Sequence, residues 1–442
     1  MRTIVVGAGP AGLYSAIVLA RRGREVLVVD RDPGPPERGW WRRRGVMQFH
    51  QAHTFRRQVI DALAAEMPDV LDALHAAGAV TATDDRGRAV GLLCRRMTFD
   101  RVLWAHAVAH RNVAFHTGNV DEVHAGRTGG VAVEVGTTTL EADLVLDASG
   151  RDSRFTRSIR PPVSGKECGA AYVSRQYQLH RTATPPPMSM PFGTVLSLSG
   201  YWALAYLHDN GAFSVTIVHD GTDPRMRLLR HPDIFEAVVR EIPSLSEWIE
   251  PSRSRALTGI MPGSRLYNGY RGQRDDTGHV PLPGLVSLGD AVCTTTPLAG
   301  RGVALALMQA RELMSILDFS GDDIHGATAE FDEWCATHIR PWYDDHLYAD
   351  AERMRRWSGH DVDLTKPLPS DLIVAAADAD PELGAIVAPY VTMDARPDSL
   401  RVAESHARRR YENGWRPAPA AGPSRDDLIE LVTEASRTPV SA

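Results

Sequence analysis

The chain contains few cysteines, and their spacing matches neither a zinc-binding motif nor a disulfide framework. The four cysteines among its 442 residues lie far apart, with no Cys-x-x-Cys pair, at Cys94, Cys168, Cys293 and Cys335. Such a set predicts reduced thiols, as in a cytoplasmic protein. The sequence also shows no internal repeat.

Long apolar runs and an excess of positive charge are missing as well. No apolar run approaches the roughly 20 residues that a membrane-spanning helix needs, so we expect no membrane insertion. The first strand-like segment begins at residue 3 or 4, so we expect no signal peptide. The formal net charge of −6 gives no general attraction to nucleic acid or to an anionic membrane.

The composition is that of a globular protein, with 43% hydrophobic and 24% charged residues. A chain of 442 residues is longer than the chain that one hydrophobic core typically organises. We therefore expect two domains, either interleaved or sequential.

The most informative segment lies at the N-terminus. An apolar run, Ile4–Val6, leads directly into Gly7-Ala8-Gly9-Pro10-Ala11-Gly12, and a helical stretch separates this turn from Val26–Asp30. The order is strand, glycine-rich turn, helix and strand, closed by an acidic residue. This is the dinucleotide-binding fingerprint in its full structural context.

Each residue of the fingerprint has a physical role. Gly7 allows the tight turn, Gly9 lets a pyrophosphate approach the backbone, and Gly12 lets the helix pack closely on the strand. The amides at the start of the helix bind phosphate, and Asp30 is placed to accept hydrogen bonds from a ribose. We predict cofactor contacts here at Gly7, Gly9, Pro10, Ala11, Gly12, Asp30 and Arg31.

The middle of the chain changes to a period of two. Thr194–Ser199, Tyr201–His208 and Phe213–His219 alternate in polarity and are separated by short turns, which predicts an antiparallel sheet. A buried strand at Leu285–Leu288 and a long helix at Val303–Leu317 then return to the earlier pattern.

The predicted fold class is α/β, with a Rossmann-type domain interleaved with an antiparallel-sheet domain. We assign residues 1–165 and 280–320 to the nucleotide-binding domain, which is discontinuous. Residues 166–279 form the sheet domain that would hold substrate, and 321–442 form a helical C-terminal region.

Two further segments indicate which dinucleotide is bound. Asp143–Ser153 is a strand followed by a turn of small residues, and Ser287–Cys293 leads into Pro297–Gly302 and a helix. Together with the fingerprint they resemble the FAD motifs of the single-component aromatic hydroxylase superfamily, nearest its bacterial epoxidase-like branch. Three shorter stretches are similar to that branch: Gln48–His53, Tyr172–Tyr177 and Leu282–Leu285.

The resemblance implies an FAD-dependent monooxygenase and adds cofactor contacts at Gln48, Arg96 and Gly150. The residues themselves agree, because Asp290 stands at a strand end where it can hold hydroxyl groups. The loop before the last helix presents bare amides to negative charge on a flavin. That loop contributes Pro297, Gly300, Arg301 and Gly302.

Candidate catalytic residues are fewer. His50, beside the expected flavin, is a candidate acid or base, with a structural role as the alternative. Arg301 stands where the family commonly has Gln, so it either places a cation near the flavin or faces solvent. Of Arg42, Arg43 and Arg44, we expect two to be merely solvated. No spacing of metal ligands is visible, and we predict no metal.

Substrate is expected between the antiparallel sheet and the flavin. Trp202, Tyr206 and His208 share one face of a strand, and Phe213 begins a face of the next. Either face could line the pocket, and ordinary sheet packing is the alternative. An apolar pocket with a few polar groups predicts an apolar small molecule.

Only one nucleotide fingerprint is present, so reduction would rely on transient docking of NAD(P)H or on a separate flavin reductase. The function expected is epoxidation or hydroxylation in bacterial secondary metabolism. Two alternatives stay open: a flavin-dependent reductase of the geranylgeranyl-reductase kind, and a non-catalytic FAD-binding partner protein. A halogenase is disfavoured because no Trp-x-Trp-x-Ile-Pro segment is found.

Overall fold

The computed structural model describes residues 2–127, 129–321 and 323–437, so the end of the assigned C-terminal region, 438–442, lies outside it. The strands of the described residues are, in chain order, β1 (Arg2–Val6), β2 (Glu25–Asp30), β3 (Phe55–Arg56), β4 (Val80–Thr83), β5 (Ala89–Leu93), β6 (Val113–Thr117), β7 (Glu122–Ala125), β8 (Val131–Val135), β9 (Thr138–Ala142), β10 (Leu144–Asp147), β11 (Ser164–Glu167), β12 (Ala170–Leu179), β13 (Gly193–Leu198), β14 (Tyr201–Leu207), β15 (Ala212–Asp220), β16 (Ser254–Ala256), β17 (Met261–Gly263), β18 (Tyr267–Tyr270), β19 (Leu285–Ser287) and β20 (Cys293–Thr294).

The α-helices follow the same order, apart from several short 3₁₀ turns. They are α1 (Pro10–Arg21), α2 (Arg57–Glu66), α3 (Pro68–Ala76), α4 (Arg96–Ala109), α5 (Pro232–Arg240), α6 (Pro243–Ser246), α7 (Gly302–Ser320), α8 (Ile324–His338), α9 (Arg340–Trp357), α10 (Ser370–Ala375), α11 (Pro381–Val391), α12 (Arg401–Glu412) and α13 (Arg425–Arg437). No helix in the described ranges is long and apolar enough to cross a bilayer.

A five-stranded parallel sheet forms the first layer, in the order β19-β10-β1-β2-β6. The expected Rossmann-type sheet is therefore present. Because its strands come from both ends of the first 290 residues, the sheet is built discontinuously. Helix α1 is buried on nearly every side, since it packs between the sheet and other helices.

The second sheet is antiparallel, as the alternating pattern predicted. Its path is β13-β14-β15-β12-β16, with β17 also paired to β12. One face packs on α5 and α13 in a core of its own. The other face is directed toward the carboxyl ends of the parallel strands, where it lines a cavity.

The helices after residue 320 do not form one separate unit. Side chains from α8, α9, α11 and α12 share the large core that contains α1 and α7. Helix α13 instead joins the core of the antiparallel sheet through Leu428, Ile429 and Val432.

Local boundaries differ from the sequence prediction near residue 50. The helical spacing of apolar residues over Gln51–Ala77 predicts a helix that is broken at Pro68. In the structure the helix begins only at Arg57, because Phe55–Arg56 pairs with β5 as a short strand. The break expected at Pro68 occurs, and the proline starts the next helix, where its missing N–H costs nothing. The hairpin of β4 and β5 was not predicted.

Candidate functional site

A cavity of about 710 Å³ lies between the two sheets. The chain leaves each of the five parallel strands at this cavity, and the switch in strand order beside β1 is where ligands bind in such sheets. The residues that follow the strand ends and line the cavity are Gly7, Asp30, Gly118, Ala148 and Leu288.

The first turn brings the backbone close to the cavity. Gly7 has a φ of +106°, and a Cβ atom there would lie 2.4 Å from the carbonyl oxygen of Ala148. A Cβ atom on Gly12 would lie 1.9 Å from the carbonyl oxygen of Gly7. The first hydrogen bond of α1 runs from Leu13 N to Gly9 O, so the amides of Gly9, Ala11 and Gly12 have no partner within the helix. They are available to an anion.

Asp30 is held by donors on both carboxylate oxygens. Its Oδ2 accepts from Ala8 N at 2.6 Å and from Arg43 Nη2 at 2.7 Å, and its Oδ1 accepts from Asp32 N at 2.8 Å. The Oδ1 atom therefore retains a lone pair, which leaves room for a ribose hydroxyl. Arg43 was not selected as a site residue, yet it is buried and lines the cavity, whereas Arg42 and Arg44 are exposed.

A second buried carboxylate links the arginines. Asp100 is fully buried and lies 3.3 Å from Arg43 Nη1 and 2.6 Å from Arg96 Nε. Arg96 lines the cavity beside the first turn, where a Cβ atom on Gly9 would lie 3.8 Å from its Nη2. Asp100 thus holds two cations next to the amides that are available to an anion.

His53, rather than His50, faces the cavity. The His50 ring stacks on Trp40 with centroids 4.3 Å apart and does not line the cavity, which argues against the acid–base role considered for it. His53 lines the cavity, its Nδ1 lies 3.0 Å from Gln51 O and its Nε2 lies 3.5 Å from Arg96 Nη1. Burial, with Arg96 nearby, lowers the pKa of His53 to about 3, so its imidazole is neutral. The spacing of the two histidines gives no signal that separates them.

The second and third turns complete the wall. Gly150 lines the cavity, and the turn around it is fixed by Asp147, which accepts from the hydroxyls of Ser149 and Ser153 at 2.6 Å each. Asp290 also lines the cavity, and burial raises the pKa of its carboxyl. No donor within the described residues is hydrogen-bonded to that carboxyl.

The side chain of Arg301 points away from the cavity, contrary to both expectations. Pro297, Gly300 and Gly302 line the cavity, whereas Arg301 is buried against the rings of Trp342 and Tyr390, which stack on each other. Its guanidinium neither lines the cavity nor faces solvent. Among the predicted cofactor residues, those that line the cavity are Gly7, Gly9, Pro10, Ala11, Asp30, Arg31, Gln48, Arg96, Gly150, Asp290, Pro297, Gly300 and Gly302.

Only one of the predicted substrate residues lines the cavity. Tyr206 does so, but Trp202 packs against Trp357, and the ring of His208 is buried against Ser214. Both lie beyond the central part of β14 that faces the cavity.

Phe213 points to the opposite side of the sheet. Because Tyr206 pairs with Ser214, the even-numbered residues of β14 and β15 share the cavity face. Phe213 is fully buried and packs on Tyr177 and Trp248 in the core. Cross-strand register decides this face, and alternation within one strand does not reveal it.

The same register supplies wall residues that were not selected from the sequence. The hydroxyls of Ser174 and Thr216 lie opposite each other, 2.7 Å apart. The six residues that the antiparallel sheet contributes to the cavity are uncharged: Tyr172, Ser174, Leu204, Tyr206, Thr216 and Val218.

These residues fit FAD. The glycine turn leaves space where a Cβ atom would collide with backbone, and the helix beyond it offers amides for the phosphates. Asp30 and Asp290 provide carboxylate oxygens for hydroxyl groups at two separate parts of the cavity wall. No group of three or more metal-ligating side chains comes together in the part of the chain that the structure describes.

Comparison with known proteins agrees with this geometry. Residues 3–152 match the family model described as FAD dependent oxidoreductase. A comparison of this chain with curated protein sequences finds no match.

Several solved structures have the same fold as this chain. The flavin-dependent brominase Bmp2 aligns with a TM-score of 0.65 at 15% identity, covering 94% of this chain and 100% of that one. A putative FAD containing monooxygenase from Photorhabdus luminescens subsp. laumondii TTO1 aligns with a TM-score of 0.60 at 15% identity, covering 81% of this chain and 100% of that one. PqsL, a probable FAD-dependent monooxygenase from Pseudomonas aeruginosa, aligns with a TM-score of 0.57 at 14% identity, covering 81% of this chain and 100% of that one.

Proposed function

We propose that this protein is an FAD-dependent monooxygenase that transfers one oxygen atom from O₂ to an uncharged, largely apolar small molecule by epoxidation or hydroxylation. The observation that carries the proposal is that one cavity joins the three glycine turns to the uncharged face of the antiparallel sheet. A cofactor and a substrate would therefore meet in one enclosure.

The chain's own residues would bind and orient the reactants. The first-turn amides bind the phosphates, while Asp30 and Asp290 accept hydrogen bonds from hydroxyl groups. The chemistry that FAD supplies when bound is acceptance of a hydride and activation of O₂. Arg43 and Arg96, held by Asp100, add positive charge beside the phosphates.

The substrate side of the cavity positions a neutral molecule and excludes water. The hydroxyls of Ser174 and Thr216 offer one polar contact in a wall that also contains Leu204 and Val218. His53 is neutral, and when its Nδ1–H donates to the Gln51 carbonyl its Nε2 is left as an acceptor. We propose His53 as the group that accepts a hydrogen bond at Nε2 during the reaction.

The electron donor and the cellular setting belong to the same proposal. One nucleotide fingerprint supports either transient NAD(P)H docking or a separate flavin reductase. All four cysteines are buried free thiols, which supports a cytoplasmic location. A role in bacterial secondary metabolism is proposed from the resemblance to the epoxidase-like branch.

Product analysis under labelled oxygen tests the function. The protein loaded with FAD would receive NADH, NADPH or enzymatically reduced flavin together with apolar candidate substrates, and products would be examined by mass spectrometry. We expect one labelled oxygen atom per product molecule. Gly12→Ala is the control that should lack bound FAD, because its Cβ atom would overlap the carbonyl of Gly7.

The alternatives give different results. A reduced product without labelled oxygen would indicate the flavin-dependent reductase. Bound FAD that no donor reduces would indicate the non-catalytic partner protein. Wild-type protein that does not bind FAD would contradict all three functions.

A further inference from the structure

Arg301 is enclosed by aromatic rings from the C-terminal helices. Its guanidinium carbon lies 4.6 Å from the ring centroid of Trp342 and 4.6 Å from that of Tyr390. Only 6% of its side chain is exposed, and its Nη1 lies 3.2 Å from Asp345 Oδ2. The two rings stack on each other with centroids 5.6 Å apart, and the guanidinium lies against both. A cation over aromatic rings is stabilised by their quadrupoles, and more strongly when water is excluded. The loop before α7 is thereby attached to α9 and α11.

The enclosure is itself held together by a hydrogen bond. The Tyr390 hydroxyl donates to Asp345 Oδ2 at 2.6 Å, which joins α11 to α9. His346 lies 3.4 Å from the Arg301 guanidinium, and burial, with Arg301 beside it, lowers the pKa of His346 to about 4. The imidazole is therefore neutral and adds no repulsive charge next to Arg301.

A second arginine attaches the same loop from the other side. Arg56 donates to Ala299 O at 2.6 Å, to Gly300 O at 3.2 Å and to Val391 O at 2.7 Å. Burial, with Arg301 nearby, lowers the pKa of Arg56 to about 10. Three carbonyl contacts therefore hold the half-buried cation, and Val391 is the last residue of α11.

The Arg56 contact also sets the direction of a peptide group. In a trans peptide, a carbonyl of Gly300 that faces Arg56 directs the N–H of Arg301 the opposite way. Within the described residues this N–H has no hydrogen-bond acceptor, and the flanking Gly300 and Gly302 line the cavity. The loop therefore presents an unpartnered donor next to the cavity.

We infer that Arg56 and Arg301 are positioning residues that fix the loop of residues 297–302, with its unpartnered N–H, to the C-terminal helices. The inference rests on the proposed function, in which this loop contacts the flavin. The C-terminal helices would then control cofactor binding without contacting the cofactor. Neither arginine would itself be a catalytic residue.

Substitution by methionine, which keeps length and removes charge and donors, tests the inference. Arg56→Met and Arg301→Met are compared with Arg408→Met, because Arg408 also bridges two C-terminal segments by donating to Leu364 O and Lys366 O at 2.6 Å each. Arg408 does not contact the loop. The measurements are the Kd for FAD, the visible absorption bands of bound FAD, and the unfolding temperature of the FAD-free protein.

We expect both loop variants to bind FAD about tenfold more weakly than the control, as when one hydrogen bond to a charged group is lost. The absorption bands of bound FAD should shift, because the N–H donor of the loop would be displaced from the flavin. Arg56→Lys and Arg301→Lys, which keep the cation, should recover part of the affinity. A similar loss of unfolding temperature is expected in all three methionine variants.

The inference is wrong if both loop variants bind FAD within about twofold of Arg408→Met with unshifted bands. If the methionine variants do not fold, Tyr390→Phe serves as the test, because it keeps the ring but removes the hydrogen bond to Asp345. An unchanged Kd for FAD and an unchanged absorption spectrum of this variant would then overturn the inference. These outcomes presuppose wild-type protein that binds FAD and forms product. Failure of the wild type would instead contradict the proposed function.

Discussion

Removing the positive charge of Arg43 should strongly destabilise the protein. The Arg43 side chain is 4% exposed, and those of its partners Asp30 and Asp100 are 9% and 0% exposed. Although burial alone would lower the pKa of Arg43, Asp30, Asp100 and Asp32 together raise it above its ordinary value. The guanidinium therefore stays charged, and its loss leaves buried carboxylates without their cation.

The size of the stability loss depends on the hydrogen-bond donors and cations that Asp30 and Asp100 retain. Breaking a buried ion pair by removing one partner costs about 3–5 kcal/mol. In Arg43→Met, Asp100 still has Arg96 at 2.6 Å and Asp30 still has the amides of Ala8 and Asp32. We therefore expect the lower end, a loss of about 3 kcal/mol from the free energy of unfolding.

Urea unfolding of the FAD-free protein, followed by tryptophan fluorescence, measures the loss. Arg42→Met is the matched control, since Arg42 is adjacent and exposed, and we expect it to change the free energy by less than about 0.5 kcal/mol. Arg43→Lys should fall between the two, because one ammonium cannot reproduce the planar fork. Equal stabilities of Arg43→Met and Arg42→Met would refute the reasoning.

Three further results are expected. Phe213→Ala should lower the free energy of unfolding by about 3–5 kcal/mol without altering the product. Tyr206→Phe should change the KM for substrate and lower the free energy of unfolding by less than about 1 kcal/mol. Equal effects of the two variants on KM would contradict the assigned faces of the sheet. His53→Gln should lower kcat more than His50→Gln does, and the wild-type pH–rate profile should show no His53 ionisation above pH 5, since its pKa is about 3. His346 alone should contribute a loss of up to about 3 kcal/mol as the pH falls from 6.5 to 4, because the unfolded state binds a proton that the buried imidazole, with a pKa of about 4, does not accept. Compared with the wild type, His346→Gln should therefore lose less stability over this pH range in urea unfolding.

Local sequence patterns were sufficient for the elements that bear the cofactor turns. The predicted strand at Val26–Asp30, the strand that opens the segment Asp143–Ser153 and the helix at Val303–Leu317 are all present. Apolar runs and glycine turns report on backbone geometry directly, so a single sequence reveals them. The short strand β3 escaped prediction because its two residues pair only through a partner almost 40 positions away.

Side-chain destinations were harder to predict. His50 and His53 lie three residues apart in the same irregular segment, and only the packing of Trp40 on one ring distinguishes them. Arg301 lies in a loop whose glycines line the cavity, yet its side chain packs against aromatic rings about 40 and 90 residues later in the chain. Such contacts depend on the assembled helices, which carry no local sign of their partners.

The amino-acid sequence alone determined the order of the glycine turns, the acidic residues at the ends of their strands and the alternation of the second sheet, because these depend on near neighbours in the chain. Only the tertiary structure decided which face of that sheet borders the cavity, which histidine enters it and what encloses Arg301. Those outcomes are set by cross-strand register and by packing between distant segments, where the free energy of burial selects one arrangement among several that the local pattern allows.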